Sequence, residues 1–465
     1  MDQTLQFDRQ LLRKYDVSGP RYTSYPTALQ FDESFDAQAY RRAVADSNED
    51  PLPRGLSLYV HIPFCRTVCF YCGCNKVITA NYRRAEDYLD RLKREIALQA
   101  PLFDRDRRVE QMHFGGGTPT YLNEDDLVGL IGALSESFPM DTSARREFSI
   151  EIDPRTVSPE KIRMLSELGF NRMSLGVQDF DPEVQAAVNR IQSVEQTETV
   201  IAAARANGYS STNLDLIYGL PKQTPETFSR TLDTVLRLRP ERLAVYNYAH
   251  MPHLFKVQRR IRPEDLPDAE TKLAILEMTI QRLTSAGYVY IGMDHFALPD
   301  DELARAQRKG GLHRNFQGYS TRAQLDLIGL GMSSIGRIGD SYSQNRKDLA
   351  SYGEALDRGE LPVFRGYSLT GDDRLRADVI GQIMCQSELD YRRIEARYRI
   401  VFRQYFHDEL VRLQPLADDG LVRFQRDGLS VTPRGRLFLR NIGMVFDAYL
   451  HQPKGGVRPR FSRVL

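Results

Sequence analysis

Long apolar runs are missing from this chain of 465 residues. None approaches the roughly eighteen residues that a membrane span needs, and the opening MDQTLQFDRQLLRKYD lacks the apolar stretch of a signal peptide. No membrane span is expected, and the cytoplasm is the expected compartment. An excess of either charge is missing too, since 63 Lys+Arg face 62 Asp+Glu for a formal +1. That argues against a nucleic-acid or membrane-surface protein working through a large positive field, so an anionic ligand must be met by local charge. Repeats of solenoid or propeller period and low-complexity tracts are absent. At 41% hydrophobic and 27% charged residues, the composition is that of a folded globular protein. Cysteine is scarce: of five, Cys65, Cys69, Cys72 and Cys74 lie within ten residues, and Cys385 is far away. Secreted scaffolds spread many cysteines over a short chain, so this tight cluster reads as a metal or cluster site needing reduced thiolates.

What recurs along the chain is a strand followed by a helix. Alternating apolar side chains at 55–62 lead into the cysteines, and 82–100 has helical spacing with i,i+4 charge pairs. The same pattern pairs 109–114 with 123–138, 147–152 with 158–168, 172–178 with 193–207, 211–218 with 224–238, and 242–248 with 269–286, six units in all. Asn123, Ser158 before Pro159 and Thr224 before Pro225 mark helix starts, while Gly169, Gly208 and Gly287 follow helix ends. Such a series folds as an open doubly wound sheet or as a closed or partial (β/α) barrel, and spacing leaves both open. Residues 290–365 are irregular, with Gly329, Gly331, Gly336 and Gly339 beside apolar residues. Beyond 370, helices over 372–414, two strands over 421–432 about an Asp427-Gly428 turn and a helix to about 450 suggest a small, mostly helical, winged-helix-like domain. In a near-neutral chain that is a weak sign of DNA binding, and no nucleic-acid partner is expected.

Cys65, Cys69 and Cys72 form C-x3-C-x2-C directly after the first predicted strand. This spacing at a strand's C-terminal end fits a loop wrapped around an iron–sulfur cubane, and three ligands leave one iron open to a small molecule. A zinc knuckle of all four cysteines and a closed four-cysteine redox cluster are the alternatives. Zinc motifs usually bring a second Cys/His pair about 12–20 residues on, and none follows.

The motif resembles the signature of radical S-adenosylmethionine (SAM) enzymes. The resemblance implies an α/β fold, a partial (β/α)6 radical-SAM barrel, with Cys65, Cys69 and Cys72 holding one [4Fe–4S] cluster whose fourth iron chelates S-adenosylmethionine. Reduction would then cleave the sulfonium to a 5′-deoxyadenosyl radical, which the protein aims and shields. Gly115-Gly116-Gly117-Thr118-Pro119 after the second strand resembles the family's GGE-type motif without its Glu; alone it reads equally as a tight turn. Glu151, in an apolar run near the end of the third strand, is placed to bond a ribose hydroxyl or ammonium, unless it faces outward. Gln178 and Asp215 end the fourth and fifth strands, where barrel active sites gather.

Longer stretches extend the resemblance over nearly the whole chain to the oxygen-independent coproporphyrinogen III oxidases (dehydrogenases). They are RYTSYPT (21–27), LYVHIPFCRTVCFYCGCNK (58–76), HFGGGTPTYL (113–122), GFNRMSLGVQDF (169–180), NLDLIYGLPKQT (213–224), YNYAH (246–250), IGMDHFA (291–297) and HRNFQGYS (313–320). Carried over position by position, Tyr59, Gly116, Glu151 and Ile335 line the cluster-bound S-adenosylmethionine, and Tyr71, Gly117, Thr118, Gln178, Arg190, Asp215 and Ala249 line a second molecule. An Arg190–Asp215 salt bridge across neighbouring units is the alternative reading. The implied reaction decarboxylates the ring A and B propionates of coproporphyrinogen III to vinyls, giving protoporphyrinogen IX, with an electron donor such as a flavodoxin or ferredoxin and a monomeric enzyme. The β-C–H lies far beyond the reach of any side-chain base, which suits a radical. No catalytic residue is singled out. Arg13, Lys14, Arg21, His313 and Arg314 are candidates to meet the four substrate carboxylates, although solvated surface charge is the plainer reading of each.

The haem-chaperone branch of the family shares the three cysteines and GGGTP, but Cys74 completing CxC and the RYTSYPT segment favour the oxidase. Cys74 either tunes or protects the site or is a buried thiol, and Cys385 reads as core. The expected organisation is an N-terminal extension over the active site (1–54), the barrel core (55–290), an irregular stretch completing it (291–369) and the C-terminal helical domain (370–465).

Overall fold

The alternation of apolar and polar side chains becomes six parallel strands: β1 (Leu56–Ile62), β2 (Val109–Gly116), β3 (Glu147–Ile152), β4 (Arg172–Gln178), β5 (Ser211–Tyr218) and β6 (Arg242–Asn247). The longer helices between them are α1 (Arg83–Gln99), α2 (Glu124–Ser137), α3 (Pro159–Glu167), α4 (Val194–Ala206) and α5 (Pro225–Leu238). Asn123, Ser158 and Thr224 cap α2, α3 and α5 through their side-chain oxygens. Gly169 and Gly208, at φ +99° and +73°, take the left-handed conformation that ends a helix. The computed structural model describes residues 5–451 and Phe461. Two compact units share them: one takes the residues up to Gln30, Leu273–Ala323 and those from Leu369 on, and the other takes Phe31–Lys272 and Gln324–Ser368.

In the second unit the strands pair in the order β1-β2-β3-β4-β5-β6. A doubly wound sheet reverses its winding beside the first strand so that helices cover both faces, whereas here the order runs one way, as a barrel requires. A further strand, β7 (Asp326–Leu330), returns parallel to the free side of β1, where a barrel's last strand comes to lie. It leads into an antiparallel run of β8 (Ile335–Ile338), β9 (Ser341–Asn345) and β10 (Val363–Ser368). The stretch that reads as irregular therefore contains these four strands of the sheet among others. Two of its glycines are spacers: a Cβ on Gly329 would lie 2.9 Å from the Ile335 carbonyl carbon, and one on Gly336 2.9 Å from the Leu327 oxygen. Strand β7 also begins with Asp326, buried against Arg107 at 2.5 Å with both side chains 1% exposed. Glycine spacers and a buried ion pair erase the alternation that marks a strand.

In the first unit, Gly371–Gln386, Tyr391–Tyr398, Phe402–Tyr405 and His407–Asp418 are helical. Val422–Gln425 and Gly428–Val431 form the expected hairpin, and Glu388–Asp390 adds a third strand. Leu375, Ile383, Phe402, Phe406, Phe438 and Phe446 are core residues, and Cys385 is buried with them. Among the described residues, no helix is long and apolar enough to cross a membrane.

Candidate active site

Parallel strands deliver their C-terminal ends to one edge of the sheet, so residues far apart in sequence become neighbours there. Ile62 lies opposite Gly116, Glu151 opposite Ser174, and Gly176 opposite Asp215. The cysteine loop leaves the end of β1, and Phe64–Cys65 pairs with Val77–Ile78 to close its neck. The glycine loop docks on that neck: the Gly117 amide donates to the Ile62 carbonyl at 2.8 Å and the Thr118 amide to that of Phe64 at 2.9 Å. Thr118 Oγ1 then stands 3.4 Å from Cys65 Sγ. A Cβ on Gly117 would lie 2.5 Å from the Pro63 oxygen, and one on Gly116, at φ +115°, 2.5 Å from the His61 ring. Both positions require glycine.

The Gly116 amide donates to Glu151 Oε2 at 3.1 Å, and His113 Nε2 lies 3.5 Å from Oε1. Burial pushes the Glu151 carboxyl up, but His113 and the Gly116 amide hold it below its ordinary range. Tyr59 stacks on His113 with ring centroids 5.9 Å apart, and its hydroxyl meets His61 Nδ1 at 3.1 Å. Burial keeps His61 neutral. With Nε2–H donating to the Asn75 carbonyl at 3.1 Å, Nδ1 is left to accept from Tyr59. Ile335 begins β8 across Gly329, which itself lies opposite Tyr59. Tyr59, Gly116, Glu151 and Ile335 thus fall within one neighbourhood.

On the far side of the cysteine loop, Arg190 Nη1 reaches Cys69 Sγ at 3.6 Å and Asp153 Oδ2 at 3.2 Å, while Nε donates to the Gly176 carbonyl at 3.1 Å. The carboxylate partner of Arg190 is Asp153. Asp215 instead accepts from Ser174 at 3.0 Å and from Asn213 at 2.8 Å. Burial, reinforced by the nearby charge of Glu151, pushes Asp215 up to about 6. Gln178 ends β4 at φ +71°, with its amide nitrogen beside Gly176. The carbonyls of Tyr71 and Ala249 both accept from Gln258 Nε2, at 2.9 and 3.3 Å. Gln258 belongs to a short helix, Lys256–Arg260, preceded by Phe255, whose ring packs on Gly73.

All five cysteines are free thiols. Burial raises Cys65 to about 11, partly offset by the Thr118 hydroxyl. Cys72 is lowered to about 6, chiefly by the Cys74 thiol, with Lys76 assisting. Among the described residues no three His, Cys, Asp or Glu are arranged to hold a single metal ion. Three soft donors strung along one loop, with a Gly116–Gly117 cradle beside them, suit a cluster that takes one thiolate per iron.

Sequence reasoning passed over His61, His113, Asp153, Arg155 and Gln258. The two histidines stand inside the conspicuous segments, two residues before Pro63 and Gly115, and Asp153-Pro154-Arg155 follows β3 directly. Gln258 carries no such signal. Of the cations proposed for the substrate, Lys14 pairs with Asp419 at 2.5 Å and Arg21 with Asp294. Arg314 donates to the Arg21 carbonyl at 3.4 Å and lies over the Tyr319 ring, while His313 pairs with Ser320 in a hairpin. Arg13 sits in the helix Arg9–Lys14.

Comparison with known proteins agrees with this geometry. The Radical SAM superfamily matches residues 59–235, and the HemN C-terminal domain matches residues 369–438. The oxygen-independent coproporphyrinogen III oxidase of Salmonella typhimurium is 52% identical over all of both chains. That of Escherichia coli K12 is 51% identical over 100% of this chain and 99% of its own. The solved structure of coproporphyrinogen III oxidase (HemN) from Escherichia coli superposes with a TM-score of 0.91 at 50% identity, covering 96% of this chain and 100% of that one. The chain belongs to the radical SAM superfamily and, within it, to the family of oxygen-independent coproporphyrinogen III oxidases.

Proposed function

We propose that this protein converts the ring A and B propionates of coproporphyrinogen III to vinyl groups, giving protoporphyrinogen IX. Each conversion removes one hydrogen atom from the propionate β-carbon, releases CO2 and passes one electron to an acceptor. The observation that carries the reading is the meeting, at one sheet edge, of the three-cysteine loop, the Gly116–Gly117 cradle and the Glu151 carboxylate, in a chain 52% identical over its length to a named oxidase. Cys65, Cys69 and Cys72 would hold the [4Fe–4S] cluster. When bound, the reduced cluster and S-adenosylmethionine together supply abstraction of a hydrogen atom from an unactivated C–H bond.

Tyr59, Gly116, Glu151 and Ile335 would line the S-adenosylmethionine on the cluster. A carboxylate held ionised by His113 and the Gly116 amide suits an ammonium or a ribose hydroxyl. A second S-adenosylmethionine would lie among Tyr71, Gly117, Thr118, Gln178, Arg190, Asp215 and Ala249. Supporting this is the lack of a direct ion pair between Arg190 and Asp215, which keeps the Asp215 carboxyl available to a ligand. A flavodoxin or ferredoxin as electron donor, a monomeric state and a cytoplasmic setting complete the proposal. The test is anaerobic incubation of reconstituted protein with coproporphyrinogen III, S-adenosylmethionine and a reductant. Protoporphyrinogen IX is the expected product, whereas tight haem binding without turnover would move the protein to the haem-chaperone branch.

A further inference from the structure

We infer that Arg190 hydrogen-bonds a thiolate that ligates the cluster, that Asp153 holds it there, and that this pair sets how readily the cluster accepts an electron. The inference rests on the proposed role of Cys69 as an iron ligand. Arg190 and Asp153 are each 7% exposed. The guanidinium is fixed on two edges. Nε at 3.1 Å and Nη2 both donate to the Gly176 carbonyl, while Nη1 faces Asp153 Oδ2 at 3.2 Å and Cys69 Sγ at 3.6 Å. Asp153 is itself anchored, accepting from Arg155 Nε at 2.9 Å and Nη2 at 2.7 Å. One carboxylate between two guanidiniums leaves a net positive charge beside Cys69, in a place where little water screens it.

Adding an electron to a thiolate-ligated cluster raises the negative charge on its sulfurs. An N–H donor and a fixed cation therefore stabilise the reduced form more than the oxidised one, and hydrogen bonds to the sulfurs are a known lever on such potentials. Arg190 acts on the thiolate directly. The Asp153 carboxylate meets the guanidiniums of Arg190 and Arg155, so it is a positioning residue whose effect runs through Arg190.

The test measures the one-electron midpoint potential of anaerobically reconstituted protein without S-adenosylmethionine, by mediated dithionite titration followed by electron paramagnetic resonance, with iron counted per chain. Arg190→Gln should shift the reduction equilibrium about tenfold toward the oxidised form, about 59 mV for one electron. Arg190→Lys should shift it less, because the charge survives while the fork is lost. Asp153→Asn separates positioning from simple electrostatics: deleting a negative charge by itself raises the potential, whereas releasing Arg190 lowers it. A lowered potential in Asp153→Asn supports the inference. An unchanged potential in Arg190→Gln, or a raised or unchanged one in Asp153→Asn, overturns it while leaving the cluster assignment standing. If Arg190→Gln loads no iron, the Lys and Asp153 variants decide. Wild-type protein that binds no iron overturns the cluster assignment and this inference together.

Discussion

Lys14 and Arg190 are both cations facing a carboxylate, in different units of the molecule. The Lys14 side chain is 55% exposed and that of its partner Asp419 21%; the side chains of Arg190 and Asp153 are 8% each. Water and a flexible stem reduce the first pair to about 0–1 kcal/mol. The second has given up its hydration, so removing one partner strands a charge at a cost of about 3–5 kcal/mol. Formal charge in a sequence is thus silent about function until burial is known. The unit that holds the cysteine loop keeps ionic groups buried at its strand ends, whereas the N-terminal cations are answered by their own surface carboxylates.

The sharpest way to test that contrast is at the sulfurs. Cys65→Ser, Cys69→Ser or Cys72→Ser should abolish the roughly four irons per chain that a [4Fe–4S] cluster carries, since a hydroxyl is a poor substitute for a soft thiolate. Iron analysis and the visible spectrum of anaerobic protein report this, and Cys74→Ser should retain the iron. Next in size, Asp153→Ala should lower unfolding free energy by about 3–5 kcal/mol in denaturant titrations, because it leaves Arg190 and Arg155 to face each other. A cost under about 1 kcal/mol would erase the distinction between the two pairs.

Glu151→Ala should keep the fold and cluster yet weaken S-adenosylmethionine binding about five- to hundredfold, the worth of roughly 1–3 kcal/mol of hydrogen bonding, as read by equilibrium dialysis. Asp215 gives a pH signature. Its folded value of about 6 lies above the ordinary 3.8, so the native state favours the protonated carboxyl. Its stabilising contribution is complete below about pH 4 and is lost as pH rises through 6, up to about 3 kcal/mol. Asp215→Asn should therefore raise the melting temperature at pH 7.5 and change it little at pH 4.5, and equal shifts at both would contradict the raised value. Smallest of all, Lys14→Ala should cost less than about 1 kcal/mol and leave turnover unchanged. Lost turnover at unchanged stability would instead return Lys14 to the substrate.

Most of the scaffold was legible because its signals are local. Period-two alternation, Asn123, Ser158 and Thr224 as caps, and Gly169 and Gly208 at helix ends each depend on a few consecutive residues. Strands β7 to β10 were illegible for the opposite reason: Gly329 and Gly336 are small because another strand presses on them, and Asp326 is tolerated only because Arg107 reaches it. The same divide runs through the site. Cys65, Gly116 and Gly117 announce themselves by spacing, but Gln258, which ties Tyr71 to Ala249, is one glutamine among many until the chain brings it there.

By itself the sequence determined the series of strand and helix units, the reduced cysteine loop at the end of the first strand, and the family to which its longer segments point. Each of these is written in neighbouring residues, whose backbone preferences and spacing act before any tertiary contact forms. Only the tertiary structure decided that the strands run in one winding order, that Arg190 faces Asp153 and Cys69 instead of Asp215, and that Lys14 and Arg21 find carboxylate partners. The strength of a charge depends on the water it has lost and the partner it has met, and both are set by residues tens to hundreds of positions away.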